Sequence, residues 1–375
     1  MKDRKTYSES LRRSKDLENA IIQNPQNYRI LTGERPTGQL HIGHLFGSIK
    51  ERVRLQKLGT ETAIIIADYQ VITDRDEFKN LKESVDGIVI DNLAAGLDPE
   101  KTMFFCHSQI PELNQLMIPF LSLVTEPELL RNPTVKAEME ASGHSLSGLL
   151  LTYPVHQACD ILFCKGSVVP VGKDQLPHIE VCRLIAKRFN ERFAGVKYGE
   201  LDKEGNPKGM ENAVFPLPEA LLSKVPHVPG LDGRKMSKSF GNAVLLGMSA
   251  DETAKLIKKT PTDNERTITY NPDDRKEVSS LLTITALCRG LEIGGDGEQQ
   301  IAEEINSDPK FGAGLLKQKC TEAVNEALRD HREKRSELAE NLDYVHKILH
   351  DGIIKAREIA VETLKDVQNA MGTIY

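Results

Sequence analysis

Residues 28–58 read YRILTGERPTGQLHIGHLFGSIKERVRLQKL, and this stretch decides the fold. Tyr28 to Leu31 reads as a short strand. Gly33 to Gly38, with Pro36 between two glycines, reads as a loop, because glycine and proline punctuate regular structure. From about Leu40 to Leu58 the pattern is helical, with Leu45, Ile49, Val53 and Leu55 on or near one face. Strand, loop and helix in that order form the first unit of an α/β fold.

The alternation continues outward from this unit. Thr62 to Ala67 is a nearly continuous apolar run, the pattern of a parallel strand buried on both faces. A helix is expected over Leu81 to Ala95, a strand over Met103 to Cys106 and a helix over Glu112 to Val124. Such alternation implies a doubly wound parallel sheet. Asn132 to Gly148 is polar and reads partly as loop. Next come a helix from Thr152 to about Phe163, capped by Thr152 with Pro154 in its first turn, and a strand at Ser167 to Val171. Asp174 is expected to cap a helix running to Phe193, and Tyr198 to Gly209 reads as an exposed insertion. From Asp251 onward the signal is helical. Three parts follow: a charged helical extension (1–27), the α/β part (28–250) and a C-terminal α-helical part (251–375).

Composition narrows the class. The chain has 375 residues, 28% of them charged and 39% hydrophobic, the balance of an ordinary soluble protein. Its charged start has no apolar core that could serve as a signal peptide, and the apolar run at 63–67 is far too short to cross a bilayer. A cytoplasmic protein without membrane contact is expected. Six cysteines without a CxxC suggest reduced, buried thiols and no structural metal. A net charge of −6 carries no global signature of a nucleic-acid binder, so RNA would have to be met by local patches.

Two short stretches carry chemistry. His41, Ile42, Gly43 and His44 lie where the first long helix begins, and helix N-termini offer unpaired N–H groups to phosphate. Two histidines three apart share that face and can donate hydrogen bonds to a phosphoryl group as charge builds; Gly43 lets a nucleotide come close. Taken alone, the tetrapeptide equally fits an exposed histidine pair. Lys235, Met236, Ser237, Lys238 and Ser239 form a loop between Gly233 and Gly241, where two lysines can meet a triphosphate from one side, or simply be solvated. A third pattern is polar. Tyr153, Gln157 and Asp160 fall on one face of an otherwise apolar helix, fitting either a pocket wall or a solvent face.

The first two stretches, in this order, resemble the HIGH and KMSKS signatures of class I aminoacyl-tRNA synthetases. GERPTGQLHIGH (33–44), LLTYPVHQACDIL (150–162), VPVGKDQLPHIE (169–180) and GLDGRKMSKSFGNA (230–243) resemble the bacterial tryptophanyl-tRNA synthetases in particular. The resemblance implies a Rossmann-like catalytic part and a helical part that reads the tRNA anticodon, in a homodimer using ATP, accompanied by Mg2+, with L-tryptophan and tRNA(Trp). It implies that His41, Gly43 and His44 hold ATP, with Arg35, Pro36 and Thr37 before them and Gly172, Lys173 and Asp174 at a strand end. Lys235 and Lys238, with Met236, Ser237 and Ser239 on the same loop, would attend the leaving pyrophosphate, and Lys136 is a further phosphate-contacting lysine. Asp160 would accept the indole N–H; Tyr153 and Gln175 would hold the α-amino group, and Gln157 and Gln70 would complete the amino-acid pocket. No metal site is implied.

The sequence departs from the common family pattern at Arg35, His44, Gln70, Gln157 and Lys173, which suggests an auxiliary branch. Tyrosyl-tRNA synthetase, sharing fold and signatures, and a non-charging binding paralogue remain as alternatives. Because Gln70 stands where the family usually has a histidine, indole-mimicking inhibitors that lean on that histidine are expected to bind weakly. Inhibition constants measured beside those of a typical bacterial enzyme check this, and equal sensitivity would contradict it.

Overall fold

The computed structural model of the chain describes residues 2–73, 80–136, 146–225 and 228–374. Seven strands are described: β1 (Arg29–Glu34), β2 (Glu61–Ile66), β3 (Thr102–Cys106), β4 (Val168–Val171), β5 (Lys197–Leu201), β6 (Pro207–Lys208) and β7 (Glu219–Leu222). Five of them build one sheet in the order β3-β2-β1-β4-β7, every neighbour parallel. The chain steps outward from β1 to β3, then crosses back to lay β4 on the other side of β1. That reversal leaves a crevice at the carboxyl ends of β1 and β4, where open α/β sheets bind ligands. β5 and β6 form a separate antiparallel pair on the exposed stretch.

Helices cover both faces. They are α1 (Lys2–Gln23), α2 (Ile42–His44), α3 (Lys50–Leu58), α4 (Leu81–Ala94), α5 (Pro111–Gln115), α6 (Met117–Leu121), α7 (Glu126–Leu130), α8 (Gly148–Leu162) and α9 (Leu176–Phe193), followed by α10 (Ala250–Lys259), α11 (Lys276–Cys288), α12 (Asp296–Asn306), α13 (Ala313–Glu340) and α14 (Leu342–Met371). Side chains of a strand alternate between faces, and the two main cores divide accordingly. Ile64, Ile66 and Phe104 enter one core with Ile42, Ile49, Ile88, Leu281 and Leu328; Ala63, Ile65 and Phe105 enter the other with Phe120, Val155, Phe163 and Phe189. The helices after residue 250 thus share a core with the sheet.

The two terminal helices close the sheet's edges. On the β7 side, Ser14 Oγ of α1 accepts the Leu222 N–H at 2.9 Å and Arg13 pairs with Glu219 at 2.5 Å, while Ile21 packs with Ile30, Val168 and Leu221. On the β3 side, α14 passes from one core to the other, with Val345 and Ile348 in the first and Ala356 and Ala360 in the second. Covered edges cannot template strand addition.

Several boundaries differ from the sequence reading. The helix expected over 112–124 is two short pieces, α5 and α6, because Pro119 has no N–H to continue the ladder. Ser147, not Thr152, caps α8: its Oγ accepts from Leu150 N at 3.0 Å, so Pro154 lies inside the helix. Asp174 does not cap α9, which follows a 3-10 turn at Lys173–Gln175. The long helix after His41 is interrupted by a π-helical turn at Leu45–Ile49. β7 was not anticipated. Most of the polar stretch before α8, residues 137–145, lies outside the described residues.

Gly352 fixes how closely α14 can approach β3. A Cβ there would stand 2.1 Å from the Phe104 carbonyl oxygen and 2.7 Å from its nitrogen. Both are backbone of a sheet strand and cannot swing aside. Gly352→Ala is therefore expected to destabilise the fold by about 1–3 kcal/mol through overpacking, read as a lower midpoint in urea unfolding. An unchanged midpoint would contradict this account.

Candidate active site

A cleft of about 560 Å³ opens at the carboxyl ends of β1 and β4, a volume suited to a small-molecule ligand. Leu31 to Glu34 come from one strand and Val169 to Val171 from the other. Arg35, Thr37, His44, Arg52 and Lys235 surround one end, and Gln70, Tyr153, Gln157, Asp160, Gln175 and His178 surround the other.

At the first end, His41 is the extended residue that precedes α2, and its ring lies 3.9 Å from that of His44. The His41 backbone N–H donates to His44 Nδ1 at 3.2 Å. That bond makes Nδ1 an acceptor, so neutral His44 carries its proton on Nε2. Burial, then His44, Lys238 and Lys235, push His41 down to about 3. Burial also holds His44 below the ordinary histidine range, against the pull of Glu34. Both rings are therefore neutral hydrogen-bond donors at pH 7, set among fixed cations. Gly43 is required by space, since a Cβ would come within 2.8 Å of His41 Nδ1. Below them Arg52 is buried, donating to Glu34 Oε1 at 2.5 Å and to Asn92 Oδ1 at 3.1 Å.

The lysine loop is stitched to the histidine segment by backbone hydrogen bonds: Ile42 N to Val244 O at 3.0 Å, and Leu246 N to Leu40 O at 2.9 Å. Asn242, which the sequence reading did not single out, staples the loop from inside. It accepts from Ser237 N at 2.8 Å and donates to Lys235 O at 3.1 Å and Asp232 Oδ1 at 2.6 Å. Lys238 Nζ reaches across to the Thr37 carbonyl at 3.1 Å.

At the other end, α8 turns Tyr153, Gln157 and Asp160 toward the cleft, so the polar stripe lines a pocket. Asp160 is buried and hydrogen-bonded to His107 Nε2. Burial opposes a charge on His107, but the Asp160 carboxylate outweighs it and holds that ring above its ordinary value. Asn132 Nδ2 donates to His178 Nδ1 at 3.3 Å, leaving His178 Nε2–H to donate to the Tyr153 phenol oxygen at 3.2 Å. Burial lowers His178 to about 4, which keeps it neutral. Arg35 Nη2 donates to the Gln70 carbonyl at 3.0 Å, tying the two ends together.

Not every residue singled out from the sequence faces the cleft. Met236 is buried in the core beneath Gly43, so its side chain anchors the loop instead of meeting a nucleotide. Pro36 is buried and shapes the turn. Lys173 is exposed, its ammonium 4.3 Å from the Tyr7 ring of α1. Lys136 is exposed outside the cleft wall, and Ser239 is exposed on the loop, 2.8 Å from Ser237 Oγ. Gly172 lines the cleft beside Asp174. His107, His156 and His178 were missed. His107 follows the last residue of β3, a strand-end position at which a sheet of this class displays functional side chains, and that position was the available signal.

The family model described as tRNA synthetases class I (W and Y) matches residues 23–329. The chain belongs to this family. It is an aminoacyl-tRNA synthetase, a ligase of class I. A tryptophan–tRNA ligase of Lactococcus lactis is 39% identical over 92% of this chain and 98% of its own length, and one of Clostridium longisporum is 38% identical over 92% and 97%. The crystal structure of tryptophanyl-tRNA synthetase from Campylobacter jejuni, complexed with ADP and tryptophan, has a TM-score of 0.72 at 30% identity, covering 92% of this chain and 99% of that one. No helix among the described residues of this synthetase is long and apolar enough to cross a membrane.

The depressed His41 gives a stability prediction with a definite sign. Between pH 6.5 and about 3 the unfolded chain binds a proton at His41 that the folded chain refuses, so stability falls as the pH drops through this window. His41→Gln is expected to make the pH dependence of urea unfolding shallower there. An identical slope in variant and wild type would contradict it.

Proposed function

We infer that this synthetase is a tryptophan–tRNA ligase, activating L-tryptophan with ATP and passing it to tRNA(Trp). The observation that carries the reading is Asp160, a buried carboxylate in the wall of a cleft that the neutral His44 and Lys235 also line. Its relatives named as tryptophan–tRNA ligases support the substrate.

The tryptophan carboxylate attacks the α-phosphorus of ATP in line, giving tryptophanyl-adenylate and pyrophosphate. The terminal ribose hydroxyl of the tRNA then takes the aminoacyl group and AMP leaves. No covalent enzyme intermediate is required; the protein supplies position and charge stabilisation. ATP enters as its magnesium complex. His41 and His44 donate N–H groups to phosphate oxygens, Arg35 and Thr37 flank them, and Gly172 and Asp174 border the nucleotide. Lys235 and Lys238 neutralise the charge gathering on pyrophosphate, and Lys136 approaches it only if its segment folds inward on binding. Tyr153 and Gln175 take the α-ammonium, while Gln70 and Gln157 border the side chain.

Asp160 accepts the indole N–H. Phenylalanine has no such donor and would leave the second oxygen of the buried carboxylate unsatisfied, a penalty of about 1–3 kcal/mol. The helices after residue 250 are assigned to anticodon contact, residues 28–250 to catalysis and 1–27 to an extension. A homodimer, with the exposed Ile118 of α6 as a candidate for burial, and a cytoplasmic location where tRNA is charged complete the reading.

Amino-acid-dependent ATP–pyrophosphate exchange tests it. Exchange with tryptophan and not tyrosine is expected, with kcat/KM for tryptophan lowered about tenfold or more in Asp160→Ala. Exchange with tyrosine would move the chain to the sister activity, and exchange with neither would sink the reading.

A further inference from the structure

We propose that His107 is the positioning residue of the tryptophan subsite: its Nε2–H holds one oxygen of the Asp160 carboxylate so that the other is presented to the indole N–H. The proposal rests on Asp160 being the group that reads the indole.

A lone buried carboxylate can rotate about its last bond, and each orientation offers a ligand a different geometry. Asp160 is 3% exposed and His107 is 0% exposed. Their contact runs through Asp160 Oδ1, and no hydrogen bond from another described residue reaches the carboxylate. Oδ2 is thus left for an incoming donor. The imidazole is itself held. It stacks on His156 at 4.4 Å between centroids and 21° between planes, and lies 6.2 Å from the Tyr69 ring at 28°. Both neighbours are fixed in turn. His156 Nε2–H donates to Asn114 Oδ1 at 2.8 Å. Tyr69 follows Asp68, whose carboxylate accepts from the backbone N–H groups of Tyr69 and Ser108, both at 3.0 Å. Ser108 is the residue after His107, so Asp68 anchors the turn that carries the imidazole.

His107, His156 and Asp160 also place potential metal ligands within 4.8 Å of one another. Stacked rings aim their lone pairs in nearly parallel planes instead of at a common point, and each Nε2–H is already given to an oxygen. The arrangement suits orientation of a carboxylate better than capture of a cation.

His107 has the chemistry for this task and no other outlet. Its Nδ1 is buried and has no hydrogen-bond partner among the described residues, where the ring's one hydrogen bond is to Asp160. A histidine placed for packing alone would gain nothing by leaving a buried nitrogen unsatisfied.

The test uses the full-length enzyme in pyrophosphate exchange with two amino acids: tryptophan, and its benzothienyl analogue, in which sulfur replaces the indole N–H. In wild type, tryptophan is favoured over the analogue. His107→Leu is expected to raise KM for tryptophan about tenfold or more, to leave KM for ATP within about twofold, and to bring the preference for tryptophan toward one. Glutamine carries an amide N–H near the reach of Nε2, so His107→Gln should recover most of the preference. If His107→Leu does not fold, the glutamine variant decides alone: a retained preference supports the proposal, and a folded His107→Gln enzyme with the preference lost overturns it. An unchanged tryptophan KM in folded His107→Leu, or equal rises for tryptophan and ATP, also overturns it. Asp160→Ala separates the two levels. Should that variant keep the preference, the indole-reading role of Asp160 falls and the His107 proposal with it; should it lose the preference while His107→Leu keeps it, only the role of His107 falls.

Discussion

Two backbone hydrogen bonds, Ile42 N to Val244 O and Leu246 N to Leu40 O, join segments two hundred residues apart, and the nucleotide end of the cleft depends on them. Without them the histidine pair would still begin its helix and the lysines would still sit on their loop, but the backbone would no longer fix one opposite the other. The join is made below the surface by Ile42, Met236, Val244 and Leu246, all buried in one core. Packing therefore sets the spacing of the polar groups above it. This is why Met236, unable to touch a phosphate with its side chain, still belongs to the machinery.

Electrostatics then divides the cleft. At one end burial and neighbouring cations strip His41 and His44 of charge, leaving N–H donors beside Lys235 and Lys238. At the other, burial neutralises His178, which positions the Tyr153 phenol, while the carboxylate of Asp160 pulls His107 the opposite way. One residue type serves three tasks: burial lowers His41, His44 and His178, and at His107 the facing carboxylate outweighs it. A polyanion and an uncharged aromatic side chain are thereby offered chemically different ends of the same crevice.

The sheet was legible wherever a strand is buried on both faces, because an unbroken apolar run such as 62–67 has few other readings. The short, half-buried β7, against which α1 lies, carries no such run and escaped notice. Helix starts were misplaced where the competing signals were local: Thr152 and Asp174 are good capping residues, yet Ser147 begins the helix earlier and a 3-10 turn intervenes at 173–175. The two signatures and the α8 stripe could be read because their residues are close in sequence. His107 offered only its strand-end position, since its partner lies 53 residues away, and Asn242 offered none, since no spacing rule marks the contacts it makes five to ten residues back within its own loop. Much of the role assignment came from family resemblance, which names groups that face a ligand and is silent on those that stand behind them.

The π-helical turn at Leu45–Ile49 makes the first helix behave as a screw of fixed phase. A π turn takes up about one residue more than an α turn, so a residue lost from it would restore α-helical bonding with the two halves in nearly the same phase, whereas a residue lost from the α-helical turns beyond would rotate one half against the other by about 100°. Ile49 and Val53 lock the downstream half into the core, and the strand bonds lock the upstream half to the lysine loop. Neither half is at liberty to turn. A residue lost at Leu45–Ile49 is consequently absorbed where one lost from Lys50–Leu58 is not, so the same deletion has opposite consequences a turn apart.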